Sequence, residues 1–441
     1  MLHFRGTIGF RKTLGIRRTL THDAPSSSSA SRLPSASASA TLKPSTAPKA
    51  ASLPQILRNL PRLFPRSMTD SIRDYSQFKT NPEFFQDRLL SQLSFYPSLY
   101  NNNSNDTSGN DDPRQGQIIK TYVNENEYIN EFQILPNTST PYDRLKHLIL
   151  IHGYGAGLGF YINTLQHLSM DNWCIHAVDL PGYGFSSRLK FPYGTINPRI
   201  YSKKDVLDWF QKRLKTWFHK KGLLAHPENN LVTAHSMGAY IMCHYLNNHP
   251  SDFRKIIMCS PAGFYPASNP LTNIPLWYTY LWDRNYSPFS LVRISGPLGS
   301  KLTSGWSYSR FFHSNQTISN ELSLALHTYA YSIFNLPGSG EYSLSHILKA
   351  GGDPRTPLQE EFFTCQSTTN NGIRRSNVEY SWLYGQSDWI NKTGGFKISQ
   401  FLNSLNKKSN VFIAPNSGHH LYFDNYMWFN SYLAKEMTLF N

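Results

Sequence analysis

Short apolar segments separated by polar turns recur along the chain and predict the strands of a buried sheet. Residues 147–151 and 174–178 carry few polar positions, which is typical of strands covered on both faces. The other segments alternate between apolar and polar positions or form shorter apolar runs. The strands predicted in this way are 118–123, 128–134, 147–151, 174–178, 231–235, 256–259, 378–384 and 410–414.

Helical periodicity occurs between several of these strands. Residues 206–220 place large apolar side chains on one side and lysines and an arginine on the other, and residues 80–93 show a helical pattern with Pro82 near its start. Strands and helices in alternation predict a parallel sheet with helices on both faces. The predicted fold class is therefore α/β, with a mostly parallel eight-stranded sheet.

The alternation of strands and helices breaks between residues 264 and 375, where aromatic residues are frequent and the pattern is irregular. An insertion between two strands of a sheet predicts a cap over the functional site. A helical subdomain with its own core is compatible with that interpretation. The expected domains are a transit peptide with a disordered linker (1–70), a helical segment with a polar loop (71–117), the first part of the core (118–263), the cap (264–375) and the second part of the core (376–441).

Residues 231–240, Leu-Val-Thr-Ala-His-Ser-Met-Gly-Ala-Tyr, predict a strand, a sharp turn and the start of a helix. The stretch matches the G-x-S-x-G nucleophile elbow, with Ala234 in the first glycine position and Ser236 at the apex. Small residues on both sides of the serine let the strand and the helix approach closely. An ordinary serine in a strand-to-helix turn is the alternative, since short motifs recur by chance.

A serine nucleophile needs a base, and the base needs an acid that orients it. Asp388 follows the predicted strand 378–384, and His419 lies in a loop after the last predicted strand, so serine, acid and histidine occur in the order expected after such an elbow. We therefore predict Ser236 as nucleophile, His419 as base and Asp388 as its orienting acid. His235 is expected to be structural, and His420 is a neighbouring competitor for the role of base.

A glycine-rich turn, 152–157, follows the predicted strand 147–151 directly. Such a turn lets backbone N–H groups approach a ligand, and the G-K-[ST] of a phosphate loop is missing from it. The predicted oxyanion hole combines the backbone N–H groups of Met237 and Tyr154.

His419 and Asp424 also form an H-x4-D pattern, which is the signature of glycerolipid acyltransferases. Because short patterns recur by chance, we interpret Asp424 as a hydrogen-bonding residue near the start of the last helix. An independent acyltransferase site is the alternative.

The positive charge of the chain is concentrated at its N-terminus. Residues 1–70 hold eleven Lys/Arg and two acids, which account for +9 of the net charge of +15. Residues 1–20 are amphipathic, contain several arginines and lack acids, and residues 26–52 are rich in serine, alanine and proline; this composition predicts a mitochondrial transit peptide. A basic tail without a targeting function is the alternative. A positive charge that lies largely in this arm gives little reason to expect nucleic-acid binding.

Four cysteines are far apart in the sequence and form no C-x-x-C pair, so they predict neither a zinc ribbon nor a disulfide framework. We expect no metal and no cofactor. No stretch has the roughly 18 uninterrupted apolar residues of a membrane-spanning helix. Any membrane contact is therefore expected to be peripheral. The cysteines are Cys174, Cys243, Cys259 and Cys365.

Taken together, the motifs resemble the α/β-hydrolase superfamily over residues of about 118–440. More narrowly, the chain resembles the branch that contains the lipid-droplet lipase co-activator, the lysophosphatidic acid acyltransferase-like proteins and the fungal mitochondrial cardiolipin-specific deacylase. The co-activator lacks a nucleophilic serine at its elbow, whereas Ser236 is present here. The matching segments are HGYGAG (152–157), DLPGYG (179–184), AHSMG (234–238), CSPAG (259–263), ISGPLG (294–299), YGQSDW (384–389) and SGHHLYFDN (417–425).

This resemblance implies a serine phospholipase that deacylates cardiolipin to monolysocardiolipin and contributes to acyl-chain remodelling. With the N-terminal arm, it implies peripheral contact with the matrix side of the inner mitochondrial membrane. The alternatives are an acyl-CoA-dependent lysophosphatidic acid or lysophospholipid acyltransferase and a catalytically silent co-activator. The sequence leaves the oligomeric state open. The residues expected to contact substrate or membrane in the cap are Trp277, Trp282, Arg284 and Arg293.

Overall fold

The computed structural model describes residues 63–97, 112–168, 170–194, 202–267, 274–312, 318–364 and 372–440. The predicted transit peptide and most of the polar loop 101–117 lie outside these ranges. The described strands are β1 (Gln115–Tyr122), β2 (Tyr128–Leu135), β3 (Lys146–Ile151), β4 (Trp173–Val178), β5 (Asn230–His235), β6 (Lys255–Cys259), β7 (Glu379–Gly385) and β8 (Ser409–Ala414).

Within the described ranges these strands form one eight-stranded sheet in the order β1-β2-β4-β3-β5-β6-β7-β8. Strand β2 is antiparallel to both of its neighbours, and every pairing from β4 to β8 is parallel. The mostly parallel eight-stranded sheet predicted from the apolar pattern is confirmed. The carboxyl ends of β5, β7 and β8 consequently lie at the same edge of the sheet.

The helices and strands of the core follow the expected alternation. The helical segment predicted at 80–93 is present as the helix Phe84–Leu90, and a separate helix, Met68–Thr80, precedes Pro82. No helix of the described residues is both long enough and apolar enough to cross a membrane. The helices outside the insertion are α1 (Met68–Thr80), α2 (Phe84–Leu90), α3 (Ile162–His167), α4 (Lys203–Lys220) and α5 (Met237–Asn248), and the cap and C-terminal helices are given below.

Two apolar layers cover the two faces of the sheet, because successive side chains of a strand point to opposite faces. Ile149 and Ile151 of β3 belong to the layer formed with α4 and α5. Leu148 and Leu150 of the same strand belong to the layer formed with α2, α3 and the C-terminal helix. Burial on both faces explains why β3 shows no period-2 alternation in its sequence.

The described segment between β6 and β7 contains helices and no strand of the sheet. It corresponds to the cap that the sequence predicted as an insertion. The cap carries α6 (Leu276–Asp283), α7 (Phe289–Ile294), α8 (Gly299–Ser307), a π-helical turn (Tyr308–Phe312), α9 (Asn320–Asn335), α10 (Leu344–Ile347) and α11 (Leu358–Phe362). The chain then continues with α12 (Gly372–Arg375), α13 (Thr393–Ser404), α14 (Leu421–Asp424) and α15 (Tyr426–Thr438).

Residues 63–70 correct the prediction that the arm up to residue 70 is a disordered linker. Arg66 is buried and forms two hydrogen bonds to the carboxylate of Asp74, at 2.9 and 2.8 Å. Its backbone N–H donates to Ser304 of α8, and Lys301 donates to the carbonyls of Phe64 and Arg66. The end of the arm is therefore part of the folded cap region.

Candidate active site

Ser236 occupies the turn between β5 and α5 in a strained backbone conformation. Its φ of 51° and ψ of −117° lie where non-glycine residues are rare. The turn is held by the Ser236 N–H, which donates to the carbonyl of Cys259, and by the close approach of Gly238 to His152. A Cβ atom at position 238 would lie 2.3 Å from the His152 carbonyl oxygen, so only glycine fits there. This geometry is that of a nucleophile elbow.

The structure brings the three predicted catalytic residues together. His419 Nε2 lies 2.9 Å from Ser236 Oγ, and His419 Nδ1 lies 3.1 Å from Asp388 Oδ1. Asp388 follows the end of β7 and His419 follows β8, while Ser236 follows β5. Because these strands are parallel, their carboxyl ends bring residues from three distant parts of the chain to one point. The nitrogen facing Ser236 is positioned to accept its proton.

The acid is buried and its protonation state follows from its surroundings. Burial by itself would raise the pKa of Asp388, but the charge of His419 and the hydrogen bond to it outweigh burial and lower that pKa below its ordinary value. Asp388 Oδ1 also accepts the backbone N–H of Ile390 at 3.1 Å. The carboxylate is therefore ionised near neutral pH and can stabilise a protonated imidazole.

His235 contacts the predicted base rather than competing with it. Burial lowers the pKa of His235 well below its ordinary value, so its ring is neutral. Its Nε2 lies 2.9 Å from the backbone carbonyl oxygen of His419, which fixes Nε2 as the donor. His235 therefore helps to hold the loop that carries His419.

His420 points to a different environment. It lines a small pocket that is separate from the Ser236–His419–Asp388 hydrogen bonds, and burial lowers its pKa well below the ordinary value. The geometry thus assigns the position of the base to His419. The other residues that line the pocket are Phe160, Trp306, Arg310, Phe311, Tyr422 and Phe423.

The glycine-rich turn after β3 lies against the nucleophile. A Cβ atom at Gly153 would be 2.9 Å from Ser236 Cβ, so the backbone of this turn passes directly beside the serine. Among the described residues, no acceptor is recorded for the backbone N–H groups of Tyr154 and Met237. Both groups remain candidates for the oxyanion hole. The ring of Tyr154 stacks on Phe289 of α7 at 5.5 Å, which brings the cap over this turn.

Asp424, the acid of the H-x4-D pattern, supports the loop of the base. Its Oδ2 accepts the backbone N–H of Gly418 at 2.9 Å, one residue before His419. Its Oδ1 accepts from Arg310 Nη1 at 2.5 Å, and Arg310 belongs to the π-helical turn of the cap. The N-cap of α15 is Asn425, so Asp424 fastens the catalytic loop to the cap and does not cap the last helix. The sequence indicated Asp424 through its motif but gave no signal for Arg310.

Of the four cap residues expected to contact substrate or membrane, Trp282 is buried and Arg293 is partly buried. Trp282 is only 7% exposed and donates its Nε1–H to the carbonyl of Leu348. Arg293 forms an ion pair with Glu341 at 2.5 Å. Trp277, by contrast, is 62% exposed, and Arg284 is also exposed. Of the four residues, Trp277 and Arg284 are therefore the ones whose side chains are exposed for contact with a membrane surface.

Comparisons with known proteins agree with this architecture. The α/β-hydrolase fold family matches residues 146–426. A probable 1-acylglycerol-3-phosphate O-acyltransferase of Oryza sativa subsp. japonica is 28% identical over 298 residues, which cover 64% of this chain and 65% of that protein. The chain therefore spans slightly less than two thirds of that relative.

Two further relatives match a similar share of this chain and a larger share of their own length. A (lyso)-N-acylphosphatidylethanolamine lipase of Homo sapiens is 24% identical, over 70% of this chain and 86% of that protein. The 1-acylglycerol-3-phosphate O-acyltransferase ICT1 of Saccharomyces cerevisiae is 23% identical, over 66% of this chain and 81% of that protein. With its sheet, its elbow and a family match over more than half of its length, the chain belongs to the α/β-hydrolase fold family.

Proposed function

We propose that this protein is a serine phospholipase that removes an acyl chain from cardiolipin and releases monolysocardiolipin. The observation that carries the hydrolase part of the proposal is the pair of contacts made by His419, 2.9 Å to Ser236 Oγ and 3.1 Å to Asp388 Oδ1. A serine activated in this way attacks acyl esters.

The reaction begins when Ser236 Oγ attacks the carbonyl carbon of the ester and His419 Nε2 takes the hydroxyl proton. The N–H groups of Met237 and Tyr154 stabilise the oxyanion, and Asp388 stabilises the imidazolium. Collapse of the tetrahedral intermediate transfers the proton from His419 to the leaving alkoxide and leaves an acyl-enzyme. Water then attacks the acyl-enzyme with His419 again as base, and the fatty acid leaves.

The substrate class is supported by the relatives. The names of the rice, yeast and human proteins all refer to glycerophospholipids or their lyso forms. Cardiolipin is the more specific part of the proposal and rests on the predicted transit peptide together with the resemblance to the cardiolipin deacylase branch. The proposed location is the matrix side of the inner mitochondrial membrane, where the protein acts peripherally.

The exposed part of the cap is the proposed membrane-docking surface. Leu276 and Trp277 of α6 are 87% and 62% exposed, and Ile294 at the end of α7 is 80% exposed. Large apolar side chains exposed at adjacent positions, such as Leu276 and Trp277, mark contact sites, and lipid is an apolar partner. Arg284 lies over the Tyr280 ring at 3.7 Å and adds a cation that attracts anionic headgroups.

Docking is tested by sedimentation of the protein with anionic vesicles. We expect Trp277→Ser to weaken binding several-fold, whereas Phe396→Ser, which removes a 53% exposed aromatic side chain outside the cap, leaves it unchanged. Binding should also weaken with salt, because charges are screened over about 8 Å at physiological ionic strength. Equal loss of binding in both variants would contradict docking through the cap.

The activity is tested with liposomes that contain cardiolipin, phosphatidylglycerol or phosphatidylcholine at matched composition. The proposal predicts that the wild-type protein releases fatty acid fastest from cardiolipin and that Ser236→Ala releases none. Equal release from all three lipids would mean that the protein is a phospholipase without specificity for cardiolipin. Release by Ser236→Ala at the wild-type rate would overturn the mechanism.

A second candidate function is acyl transfer to a lysophospholipid, which the names of the rice and yeast relatives favour. In this reaction the hydroxyl of the lysophospholipid replaces water as the attacking group. Incubation with labelled acyl-CoA and lysophosphatidic acid tests the transfer reaction, which gives labelled phosphatidic acid, whereas a phospholipase gives none and instead releases fatty acid from the cardiolipin liposomes. A silent co-activator would give neither product.

A further inference from the structure

Three side chains of metal-ligating type meet between β3 and β4, at the end of the sheet opposite to Ser236. His147 of β3 pairs in register with Cys174 of β4, and His176 follows two residues later on β4. Side chains two residues apart on a strand point to the same face. All three side chains are buried, with Cys174 and His176 fully inaccessible.

The distances between the three side chains suit one small ion. His147 Nδ1 lies 3.1 Å from His176 Nε2, and the ligand atoms of all three residues lie within 4.8 Å of one another. Zinc binds histidine nitrogen at about 2.0–2.1 Å and cysteine sulfur at about 2.3 Å, so neighbouring ligands of a tetrahedral site are roughly 3.3–3.6 Å apart. The two histidine nitrogens are already close to this spacing, and all three ligand atoms lie near enough to surround one ion after side-chain adjustment.

The surroundings also match those of a metal site, where each ligating histidine donates its second ring N–H to an outer partner. His176 Nδ1 is fully buried, has no hydrogen-bond partner among the described residues and lies 3.8 Å from Glu131 Oε1. Glu131 is itself held by a hydrogen bond of 2.7 Å from Trp217 Nε1. A carboxylate therefore lies beside the free nitrogen of His176.

We propose that His147, Cys174 and His176 bind one Zn²⁺ ion. The thiolate and the two imidazoles are ligands that zinc prefers, and the Cys174 thiol releases its proton on binding. Three protein ligands leave one tetrahedral position for water. The ion cross-links two neighbouring strands far from Ser236, so its role is to stabilise the sheet. The spacing of the cysteines alone predicted no metal, because two of these ligands share a strand and the third comes from the neighbouring one.

The proposal is tested with the tag-free full chain, stripped of metal by a chelator and titrated with Zn²⁺ against a chromophoric competitor. The wild-type chain should bind one equivalent, and Cys174→Ser should bind at least tenfold more weakly, since even outer partners of such sites change affinity by about 10–100-fold. Cys243→Ser removes another buried thiol, outside the cluster, and should bind like the wild type. Equal affinity for Cys174→Ser and the wild type, or no binding by the wild type, overturns the proposal.

Cobalt provides a second measurement that does not depend on the folding of a variant. Co²⁺ bound to the wild-type chain through Cys174 should show a thiolate-to-cobalt charge-transfer band, and added Zn²⁺ should abolish it. A Co²⁺ complex without that band would overturn the proposed ligand set.

Discussion

Replacing Asp424 by asparagine separates a structural role of the H-x4-D pattern from a chemical one. The aspartate accepts the Gly418 N–H at 2.9 Å and Arg310 Nη1 at 2.5 Å. Asparagine has the same shape but only one acceptor oxygen, so one of the two hydrogen bonds is lost and Arg310 loses its counter-ion.

The expected loss follows from these contacts. A hydrogen bond to a charged group contributes about 1.5–3 kcal/mol. The two side chains are 20% and 15% exposed, and solvent screening therefore reduces the effect of the ion pair. We expect Asp424→Asn to lower the free energy of unfolding by about 2 kcal/mol and Tm by a few degrees.

Activity should fall less than stability. His419 keeps its hydrogen bonds to Ser236 and Asp388, so the catalytic geometry survives in the folded fraction. The specific activity of folded Asp424→Asn should be within about tenfold of the wild type, because larger losses accompany misplacement of a catalytic group by about 1 Å.

The assay combines thermal unfolding with fatty-acid release per folded molecule. Arg310→Gln serves as the matched variant, because it removes the ion pair and the cation over the Phe423 ring but leaves the hydrogen bond between Gly418 and Asp424. The double variant should be less destabilised than the sum of the single variants, by about 0.5–3 kcal/mol, since the two residues share one contact. Activity lost by a thousandfold or more with an unchanged Tm would refute the positioning role and assign Asp424 a chemical one.

Three further predictions concern the core and the N-terminal segment. Arg66→Met should lower the free energy of unfolding by about 3–5 kcal/mol, because it leaves Asp74 buried without its partner, whereas Arg73→Met at an exposed ion pair should change it little; chemical denaturation checks both. His244 is buried and its pKa is lowered to about 3 in the folded protein. Between about pH 3 and 6.5 the unfolded chain therefore binds more protons than the folded chain, and the free energy of unfolding rises with pH. Stability measured across that window should depend less on pH in His244→Gln. Gly238→Ala should abolish folded, active protein, as checked by circular dichroism and ester hydrolysis, because its Cβ would lie 2.3 Å from a backbone oxygen; retained activity would contradict the tight elbow.

The strands and the three catalytic positions could be predicted because each leaves a local signal. A strand such as β3 that is buried on both faces carries almost no polar residue, and the elbow around Ser236 requires small residues at fixed positions. Asp388 and His419 could be found because parallel strands place their carboxyl ends at one edge of the sheet.

The contacts that the sequence did not reveal join residues that are far apart along the chain. Arg310 meets Asp424 across 114 residues, and no local pattern connects the two. Arg66 was counted as a charge of the arm, because composition does not distinguish a buried ion pair from a solvated cation. Trp277 and Trp282 were grouped by composition alone. Two helical positions that are five residues apart are rotated by roughly 140° about the helix axis, so a helical projection would have placed the two side chains on different faces.

The most direct test of the account is peptide mapping of the wild-type protein after reaction with a fluorophosphonate. The account predicts one adduct, on Ser236, formed as the serine oxygen displaces fluoride from phosphorus. Labelling should slow by roughly three orders of magnitude or more in His419→Ala, which removes the base. An adduct on another residue, no adduct, or equal labelling of His419→Ala would contradict an activated serine at this elbow.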